Sequence, residues 1–308
     1  MADVSSMGSG LSRRRRRLSD EETEQRMLRA AMSMINSSGL TVGLDHISFE
    51  DVIRHAGVAR SAAYRRWPYK DLFFSDLLKE LARRAGPAIS VSDPESAEAV
   101  RQVILDRLDW VAQPGLRTAL VAEVLRQGAL KELQIFSDSP EWRTYLALQA
   151  TFLSLAESEL RSEIQASLRE AEADMTAGLA AAYERTTRLL GCRLRPELRV
   201  TFADVARLTT AATRGMVIMT PASPELATHT VHTDPFGAPA PADWTQLALA
   251  LAGIAMTFVE ADPDVHFDEE CIEALRTALT PPPQQQRARR KGTLQRAFGT
   301  EEPPFTSP

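Results

Sequence analysis

Several polar residues in the C-terminal third of the chain lie at the spacing of metal ligands. His229, His232 and Asp234 fall within six residues, and residues 262–268 read D-x-D-x-H-x-D. The first group lies in a proline-rich stretch without a third soft ligand. The second lacks the glycine and the terminal glutamate of a calcium-binding EF-hand loop. We expect solvated loops at both places and predict no metal site.

Cysteine and glycine usage gives no catalytic constellation. Cys192 and Cys271 are the only cysteines, too few for a disulfide scaffold, so a reducing cytosol is the expected compartment. Neither lies near a recognisable motif, and we expect both to be buried thiols. The sequence has no glycine-rich phosphate loop and no nucleophile elbow. We therefore predict a protein that is not an enzyme and has no cofactor.

Charge is distributed unevenly along the chain. Of its 308 residues, 44% are hydrophobic and 25% are charged, as in average globular proteins. The longest apolar run, residues 247–256, is shorter than the ~20 residues that span a bilayer. Residues 1–80 carry 13 Lys and Arg against 11 Asp and Glu, whereas the rest of the chain carries 23 against 30. We therefore expect a nucleic-acid contact in the N-terminal quarter.

Hydrophobic periodicity predicts an all-α chain. Ser19 and Glu22 form a capping box at the start of the first helix, Ser48 caps the second with Asp51 three residues on, and Gly57 ends it. Helices are predicted over 19–39, 48–57, 60–67, 71–84, 92–113, 116–136, 141–190 (one very long helix or two abutting ones), 197–219, 244–260 and 269–279. No stretch is predicted as a strand. The proline-rich residues 220–243 are predicted to form a long loop, and residues 281–308 a disordered tail.

The first three helices are short, and a tight glycine-containing turn joins the second to the third. This is the build of a helix-turn-helix motif. In such a motif the second helix braces against the DNA backbone. The third, which here begins with small residues, enters the major groove and meets base edges.

The stretch from Phe49 to Phe73 resembles the DNA-binding domain of the TetR family of transcriptional regulators. The shared features are an Ala-Gly-Val turn at residues 56–58, Tyr64, a lysine two residues after Pro68 and a leucine at the start of the fourth helix. The resemblance covers about residues 24–80. The predicted domains are a flexible basic arm over 1–18, a helix-turn-helix domain over 19–80, and a helical effector-binding and dimerisation domain over 81–280.

The resemblance also implies which residues contact DNA. Ser48 takes the place of a threonine that caps the second helix and touches phosphate. Tyr64 and Lys70 match a tyrosine and a lysine that contact phosphate, the lysine at a helix N-terminus. The implied set of DNA-binding residues is Ser48, Arg60, Ser61, Ala62, Tyr64, Arg65 and Lys70.

The sequence departs from the family pattern in three places. The loop over residues 40–47 is a few residues longer, Ala59 stands where a serine commonly caps the third helix, and Ala62 replaces a common threonine. Loss of such a cap costs about 1 kcal/mol. These differences bear on the operator sequence rather than on the fold.

Plainer structural roles remain open for the aromatic and arginine residues of this region. Tyr64 and Trp67 could both be core aromatics of a three-helix domain. We favour the core for Trp67, which shares a face with Phe49 and Ile53, and DNA contact for Tyr64. The N-terminal arginine run is either a solvated tail or an arm that follows DNA phosphates or a narrow minor groove. This run consists of Arg13, Arg14, Arg15, Arg16 and Arg17.

The last two long helices resemble the family's dimerisation helices in outline. The helix over 244–260 is apolar nearly all round and must be buried on most sides. A four-helix bundle, with two helices from each of two chains, meets that need; the alternative is an ordinary buried helix in a monomer. The predicted dimer interface comprises Phe202, Val205, Thr209, Ala212, Met216, Leu247, Leu251, Ile254 and Phe258.

An effector pocket is expected among the middle helices, where most large side chains occur. No charge pattern there indicates an anionic or a cationic ligand, and each large residue could equally be core packing. The candidate pocket residues are Trp110, Phe136, Trp142, Tyr145, Phe152, Met175 and Tyr183.

The resulting hypothesis is a homodimeric TetR-like repressor in the bacterial cytoplasm, associated with the nucleoid. It would bind a pseudo-palindromic operator in double-stranded DNA and leave it when a small-molecule effector binds. No membrane contact is expected. The alternative is a helical adaptor regulated by a protein partner, with weak or vestigial DNA binding, for which Tyr64→Ala would have no effect.

Overall fold

A computed structural model describes residues 18–38, 47–84 and 94–280 of the chain. The arginine run at 13–17, nearly all of the loop over 40–47, and the tail at 281–308 lie outside the described residues. The described part is predominantly α-helical, which confirms the predicted fold class.

Twelve α-helices occur among the described residues. They are α1 (Asp20–Ser38), α2 (Phe49–Ala56), α3 (Arg60–Arg66), α4 (Lys70–Arg83), α5 (Pro94–Asp106), α6 (Pro114–Asp138), α7 (Pro140–Ser154), α8 (Glu159–Leu189), α9 (Phe202–Met219), α10 (Glu225–Thr228), α11 (Gln246–Phe258) and α12 (Glu269–Leu279). Short 3-10 segments lie at Leu108–Ala112 and Pro196–Leu198.

Four short strands correct the prediction that the chain has none. Strand β1 (Cys192–Leu194) pairs antiparallel with β4 (Val259–Ala261), and β2 (Thr230–Thr233) pairs antiparallel with β3 (Ala242–Thr245). The predicted loop over 220–243 therefore contains α10, β2 and the start of β3. Strands of three or four residues are too short to show alternation, and the partner of β1 lies more than 60 residues along the chain, so periodicity does not reveal them.

Capping chemistry accounts for several helix starts. At α1 the amide of Ser19 donates to Glu22 Oε2 at 2.9 Å and the amide of Glu22 donates to Ser19 Oγ at 3.0 Å, which confirms the capping box. Ser48 occupies the N-cap position of α2, but its side chain makes no capping hydrogen bond. Asp51 instead forms an ion pair with Arg54 at 2.8 Å.

The chain divides into two compact units. Among the described residues, unit 1 takes in α1 to α4, α7 and the part of α8 up to Asp174, and unit 2 takes in the rest. The boundary falls inside α8, a continuous helix of 31 residues.

The stretch over 141–190, predicted as one very long helix or two abutting ones, forms two helices, α7 and α8, with a break at residues 155–158.

Unit 1 has an aromatic core that confirms the buried role of Trp67. Its ring is fully buried and lies 5.1 Å from Phe73 and 6.4 Å from Phe49 between ring centroids. Helix α7 packs on α1 and α4, and Lys79 of α4 pairs with Glu163 of α8 at 2.6 Å. The first four helices therefore rest on a further helical layer within unit 1.

Unit 2 contains a fully buried arginine, Arg117, on α6. Its guanidinium donates to the carbonyl oxygens of Val111 at 2.6 Å and Val265 at 2.8 Å, and lies over the ring of Phe267, 4.9 Å from its centroid. Buried cations need such partners because desolvation is costly. Arg117 thereby joins the segment before α6 to the segment before α12.

The two cysteines differ in their surroundings. Cys192 is buried, and that burial raises the pKa of its thiol to about 12. Cys271 is exposed on the first turn of α12, so the prediction of two buried thiols was wrong for this one. Within the part of the chain that the structure describes, none of the helices combines the length and apolarity needed to cross a bilayer.

Candidate nucleic-acid interface and ligand cavity

Helices α2 and α3 form a compact helix-turn-helix. Gly57 ends α2 with φ of 62° and donates its amide to the carbonyl oxygen of Arg54, while Val58 donates to Ile53. A left-handed residue at this position closes the helix and is accessible to glycine without strain. Because only three residues separate the two helices, α3 is held at a sharp angle to α2.

The outer face of α3 carries polar and basic side chains. Arg60, Ser61, Tyr64 and Arg65 are exposed, whereas Ala63 is buried and fixes the opposite face against the core. Ala62 is partly buried. The short side chains of Ser61 and Ala62 let the start of α3 approach a groove closely. This face therefore has the form of a recognition helix.

Glu50 of α2 holds two of the predicted DNA-binding residues together. Its Oε1 lies 2.9 Å from the guanidinium of Arg60 and accepts a hydrogen bond from the hydroxyl of Tyr64 at 2.7 Å. Arg60 also lies over the Tyr64 ring, 5.5 Å from its centroid. Hydrogen bonding with Tyr64, and attraction to Glu50, raise the pKa of Arg60. Sequence reasoning missed Glu50, although an acidic residue at the start of the helix that precedes a basic recognition helix is a detectable signal.

The remaining arginines of α3 are tied to α1 and α4. Arg65 bonds Asp20 at 2.5 Å, and Arg66 pairs with Glu24 at 2.9 Å. A DNA phosphate would have to compete with Asp20 for Arg65. Arg60 is paired in the same way with Glu50, but its side chain is 71% exposed against 40% for Arg65, so Arg60 is the more accessible to DNA.

Lys70 begins α4 and is exposed, and it has no ion pair among the described residues. A lysine at a helix N-terminus combines its own charge with the helix dipole, which favours an anion there. Tyr69, which precedes it, is 73% exposed. This aromatic was not predicted as a site residue, although its position between Pro68 and Lys70 is outside the apolar periodicity. Lys70, Tyr69 and Ser48 thus remain accessible beside α3.

Unit 2 encloses a cavity of about 250 Å³. Its walls come from α5, α6, α8, α9, α11 and β4 and are mostly apolar. Among the charged residues of the lining, Lys131 and Arg185 are exposed, whereas Glu132 is partly buried. Ligand cavities typically combine apolar walls with a few placed polar groups.

Glu132 and Tyr183 are the polar groups of the cavity with shifted pKa values. Burial raises the pKa of Glu132 to about 7. Burial, and the nearby charge of Glu132, raise the pKa of Tyr183. The Tyr183 hydroxyl donates to Thr209 Oγ1 at 3.1 Å. Glu132 forms no hydrogen bond or ion pair with any described residue.

Of the seven residues predicted for the effector pocket, Tyr183 lines this cavity. The others pack elsewhere. Trp142 and Tyr145 form a buried edge-to-face pair on α7, and Phe136 is buried on α6. Arginine side chains cover Trp110 and Phe152, and the sulfur of Met175 lies 3.7 Å from Arg214. Large residues at helical spacing fill cores, whereas a cavity opens where smaller ones line the walls.

The residues predicted for the dimer interface lie largely on inward faces. Val205, Thr209, Leu247 and Leu251 are buried within the single chain, and Phe202, Ala212, Met216, Ile254 and Phe258 are partly buried. The most apolar stripe of α9 packs on α11 and the cavity. Sequence periodicity selects this stripe because it is the most hydrophobic, but an interface with another chain needs the opposite face.

That opposite face is also apolar. On α9, Leu208, Ile218 and Met219 are 46%, 62% and 53% exposed, and Gly215 lies on the same side. A Cβ at Gly215 of α9, or at Gly253 of α11, would have no atom of the chain within 4 Å. The outward face of α9 therefore exposes apolar side chains, and α9 and α11 each have a glycine with no neighbouring atom of the chain above it.

The residues with metal-like spacing are engaged in local structure. His232 Nδ1 is hydrogen-bonded to Asp243 Oδ1 at 2.8 Å, and Asp234 accepts the amide of Ala238 at 2.8 Å. Asp268 caps α12 by accepting the amide of Cys271 at 2.8 Å. Among the described residues, no three His, Cys, Asp or Glu side chains converge as metal ligands would.

Known structures that match the chain include regulators of transcription. A TetR-family transcriptional regulator from Agrobacterium tumefaciens is 14% identical, with 67% of this chain and 90% of that chain covered and a TM-score of 0.38. SmeT, the repressor of the Stenotrophomonas maltophilia multidrug efflux pump SmeDEF, is 16% identical, with 81% and 98% covered and a TM-score of 0.36. TylP, a TetR regulator from Streptomyces fradiae, is 13% identical, with 84% and 90% covered and a TM-score of 0.34. No protein-family model and no curated protein matches the chain.

Proposed function

We propose that this protein is a TetR-like transcriptional regulator that binds duplex DNA through α3. The observation that carries the proposal is the exposed face of α3, where Arg60, Ser61 and Tyr64 point away from the core, with Lys70 accessible at the start of α4. A short helix with small and basic residues on its outer face fits the major groove. Arg60 and Ser61 would meet base edges, and Tyr64 and Lys70 would meet phosphates.

DNA binding requires that Glu50 give up its two partners. In the free protein Glu50 holds Arg60 and Tyr64, and a phosphate entering the site would take its place. Charge-assisted hydrogen bonds to phosphate are strong enough to replace an exposed ion pair. Glu50 therefore sets the arrangement of the face before DNA arrives and opposes non-specific binding.

The proposed active form is a homodimer joined by the outward faces of α9 and α11. Support comes from the exposed Leu208, Ile218 and Met219 and from the open surface at Gly215 and Gly253. Small residues allow two helices to approach closely in a four-helix bundle. A twofold axis would present two copies of α3 to half-sites about 34 Å apart on a pseudo-palindromic operator.

The cavity of unit 2 is the proposed effector site, and we propose that its occupation releases the operator, which makes the protein a repressor. Helix α8 carries Tyr183 in the cavity wall and Glu163 in the ion pair with Lys79 of α4. A ligand that binds one position of α8 better than another would shift the population of α4 positions by its difference in affinity. As a DNA-binding regulator of this type, the protein would work in the bacterial cytoplasm.

The first test is selection of genomic DNA fragments by the purified full-length protein at physiological salt. Tyr64→Phe and Tyr64→Ala are run in parallel, because the phenylalanine variant keeps the ring contact with Phe49 at 5.4 Å and removes only the hydroxyl. We expect a palindromic sequence that both variants recover poorly. Equal recovery by all three proteins would instead favour an adaptor with a protein partner.

Removing the Lys70 charge should weaken DNA binding uniformly across sequences. We expect Lys70→Ala to lower the slope of log affinity against log salt concentration by about 1, because one phosphate contact is lost. The measurement is fluorescence anisotropy on operator and random DNA at several salt concentrations. Arg83→Ala removes the same charge from the far end of α4 and serves as the control. Matching slopes for the two variants would exclude Lys70 from the interface.

Removing the Glu50 charge should strengthen DNA binding. We expect Glu50→Gln to raise affinity roughly fivefold, the effect of one exposed ion pair, because Arg60 no longer exchanges Glu50 for phosphate. Asp51→Asn, on the same helix but paired with Arg54, changes the net charge equally and should alter affinity less. If both variants bind alike, net charge rather than the Glu50 contacts is responsible.

A further inference from the structure

Glu132 stands in the cavity of unit 2 without a compensating partner. Tyr183 donates its hydroxyl to Thr209 rather than to Glu132, and no described residue bonds or pairs with the carboxyl. Lys131 and Arg185 also line the cavity, but both are exposed. Burial raises the pKa of the Glu132 carboxyl to about 7. A partly buried carboxyl without a partner destabilises a fold unless something pairs with it.

The remaining walls of the cavity favour a ligand with apolar groups. Val100, Val121, Leu125, Val205 and Leu251 contribute aliphatic walls, and Phe202 contributes an aromatic ring. Phe202 and Tyr183 both line the cavity with aromatic rings, a residue type that attracts cations as well as hydrocarbon. The cavity volume of about 250 Å³ lies just below the usual range for ligand sites, which begins at about 300 Å³. The occupant must therefore be small and largely apolar.

Charge complementarity decides among the possible classes of ligand. An anion would be repelled by Glu132, and a neutral hydrocarbon would desolvate the carboxyl further without pairing with it. We propose that the cavity binds a small lipophilic cation, an ammonium ion with apolar substituents, whose charge pairs with Glu132. This inference rests on the proposed function in taking the cavity as the effector site, and it adds the chemical class of the effector.

The ionisation of Glu132 links this binding to pH. A permanent cation needs the carboxylate, which is protonated below pH 7 in the empty cavity. The other ionisable groups that face the cavity are Lys131 on α6 and Tyr183 and Arg185 on α8. Burial raises the pKa of Tyr183 above its usual range. Affinity should therefore fall about tenfold from pH 8 to pH 6.

The test is titration of the full-length protein with benzyltrimethylammonium at pH 8, followed by NMR of the ligand. Neopentylbenzene, which has carbon in place of nitrogen, is the neutral isostere. We expect the cation to bind and the isostere to bind much more weakly. Glu132→Gln should weaken the cation about 30-fold or more and remove the pH dependence. Glu273→Gln, an exposed acid on α12 that pairs with Arg276, should change neither.

Equal binding of the cation and its isostere, wild-type affinity in Glu132→Gln, or no binding of the cation would each overturn the proposal. We expect Glu132→Gln to fold, because the substitution removes an unpaired charge from a partly buried position. Weaker cation binding by this variant would therefore report on the cavity and not on unfolding. Operator binding is measured alongside. A cation that binds without weakening operator binding upholds the ligand class and removes the effector role. Intact operator binding without cation binding overturns the ligand class and leaves the proposed DNA-binding function standing.

Discussion

Replacing Gly215 in α9 by arginine should turn the proposed dimer into a monomer. A side chain at this position meets no atom of its own chain within 4 Å, so the arginine projects into the proposed interface and would be buried there without a partner. Arginine is also a better helix former than glycine by roughly 1 kcal/mol, so the monomer itself should fold. Affinity for a palindromic operator should fall at least ~100-fold, because the two half-sites are no longer bound by one linked molecule.

Sedimentation velocity or light scattering measures the change in mass, and anisotropy on a single half-site shows that each α3 still binds. Gly115→Arg provides the matched control, since Gly115 is exposed at the start of α6 and also has open space around it. It should remain a dimer. A dimeric Gly215→Arg protein would place the interface on a different surface.

Replacing Gly191 by alanine should destabilise unit 2 by about 2–4 kcal/mol. Gly191 has φ of 64°, and a Cβ there would lie 2.6 Å from Phe267 Cε2 and 3.1 Å from Val265 Cγ1. Left-handed backbone costs a non-glycine residue about 1 kcal/mol, and forced overpacking costs about 1–3 kcal/mol more. The ring of Phe267 also lies against Arg117, so any movement disturbs a buried cation.

Gly237→Ala separates the two contributions. Gly237 has φ of 78° in the same unit, but no atom lies within 4 Å of a Cβ there, so this variant carries only the backbone cost. Urea unfolding followed by circular dichroism should give a larger loss of unfolding free energy for Gly191→Ala than for Gly237→Ala. Equal losses would mean that Phe267 moves aside freely.

The helical architecture could be predicted because its signals are local. The pairing of Ser19 with Glu22 and the stop at Gly57 each depend on residues within one or two turns, and both are present. The pairing of β1 with β4 joins Arg193 to Glu260, residues too distant for any window of periodicity. The burial of Cys271 was predicted wrongly because it sits on the solvent side of a helix with few inward residues.

The predicted DNA-binding face and the cavity differ in what the sequence could reveal. Arg60, Tyr64 and Lys70 were predicted from the resemblance of residues 49–73 to the TetR DNA-binding domain, which a short continuous stretch of sequence carries. The cavity depends on what six separate elements leave unfilled, and its key residue, Glu132, lies on a helix among residues that give no charge pattern. Large aromatic side chains were the natural sequence candidates, but large side chains fill space instead of enclosing it.

The unpaired Glu132 also bears on how long the protein survives in a cell. An isolated buried carboxyl lowers the stability of the empty protein, and a ligand that binds only the folded state restores it by about 1.4 kcal/mol for each tenfold excess over its dissociation constant. Proteases degrade transiently unfolded molecules, so occupancy of the cavity should slow turnover. Under the proposed function, cells that contain the effector would then accumulate the protein and, once the effector is gone, hold more of it to rebind the operator.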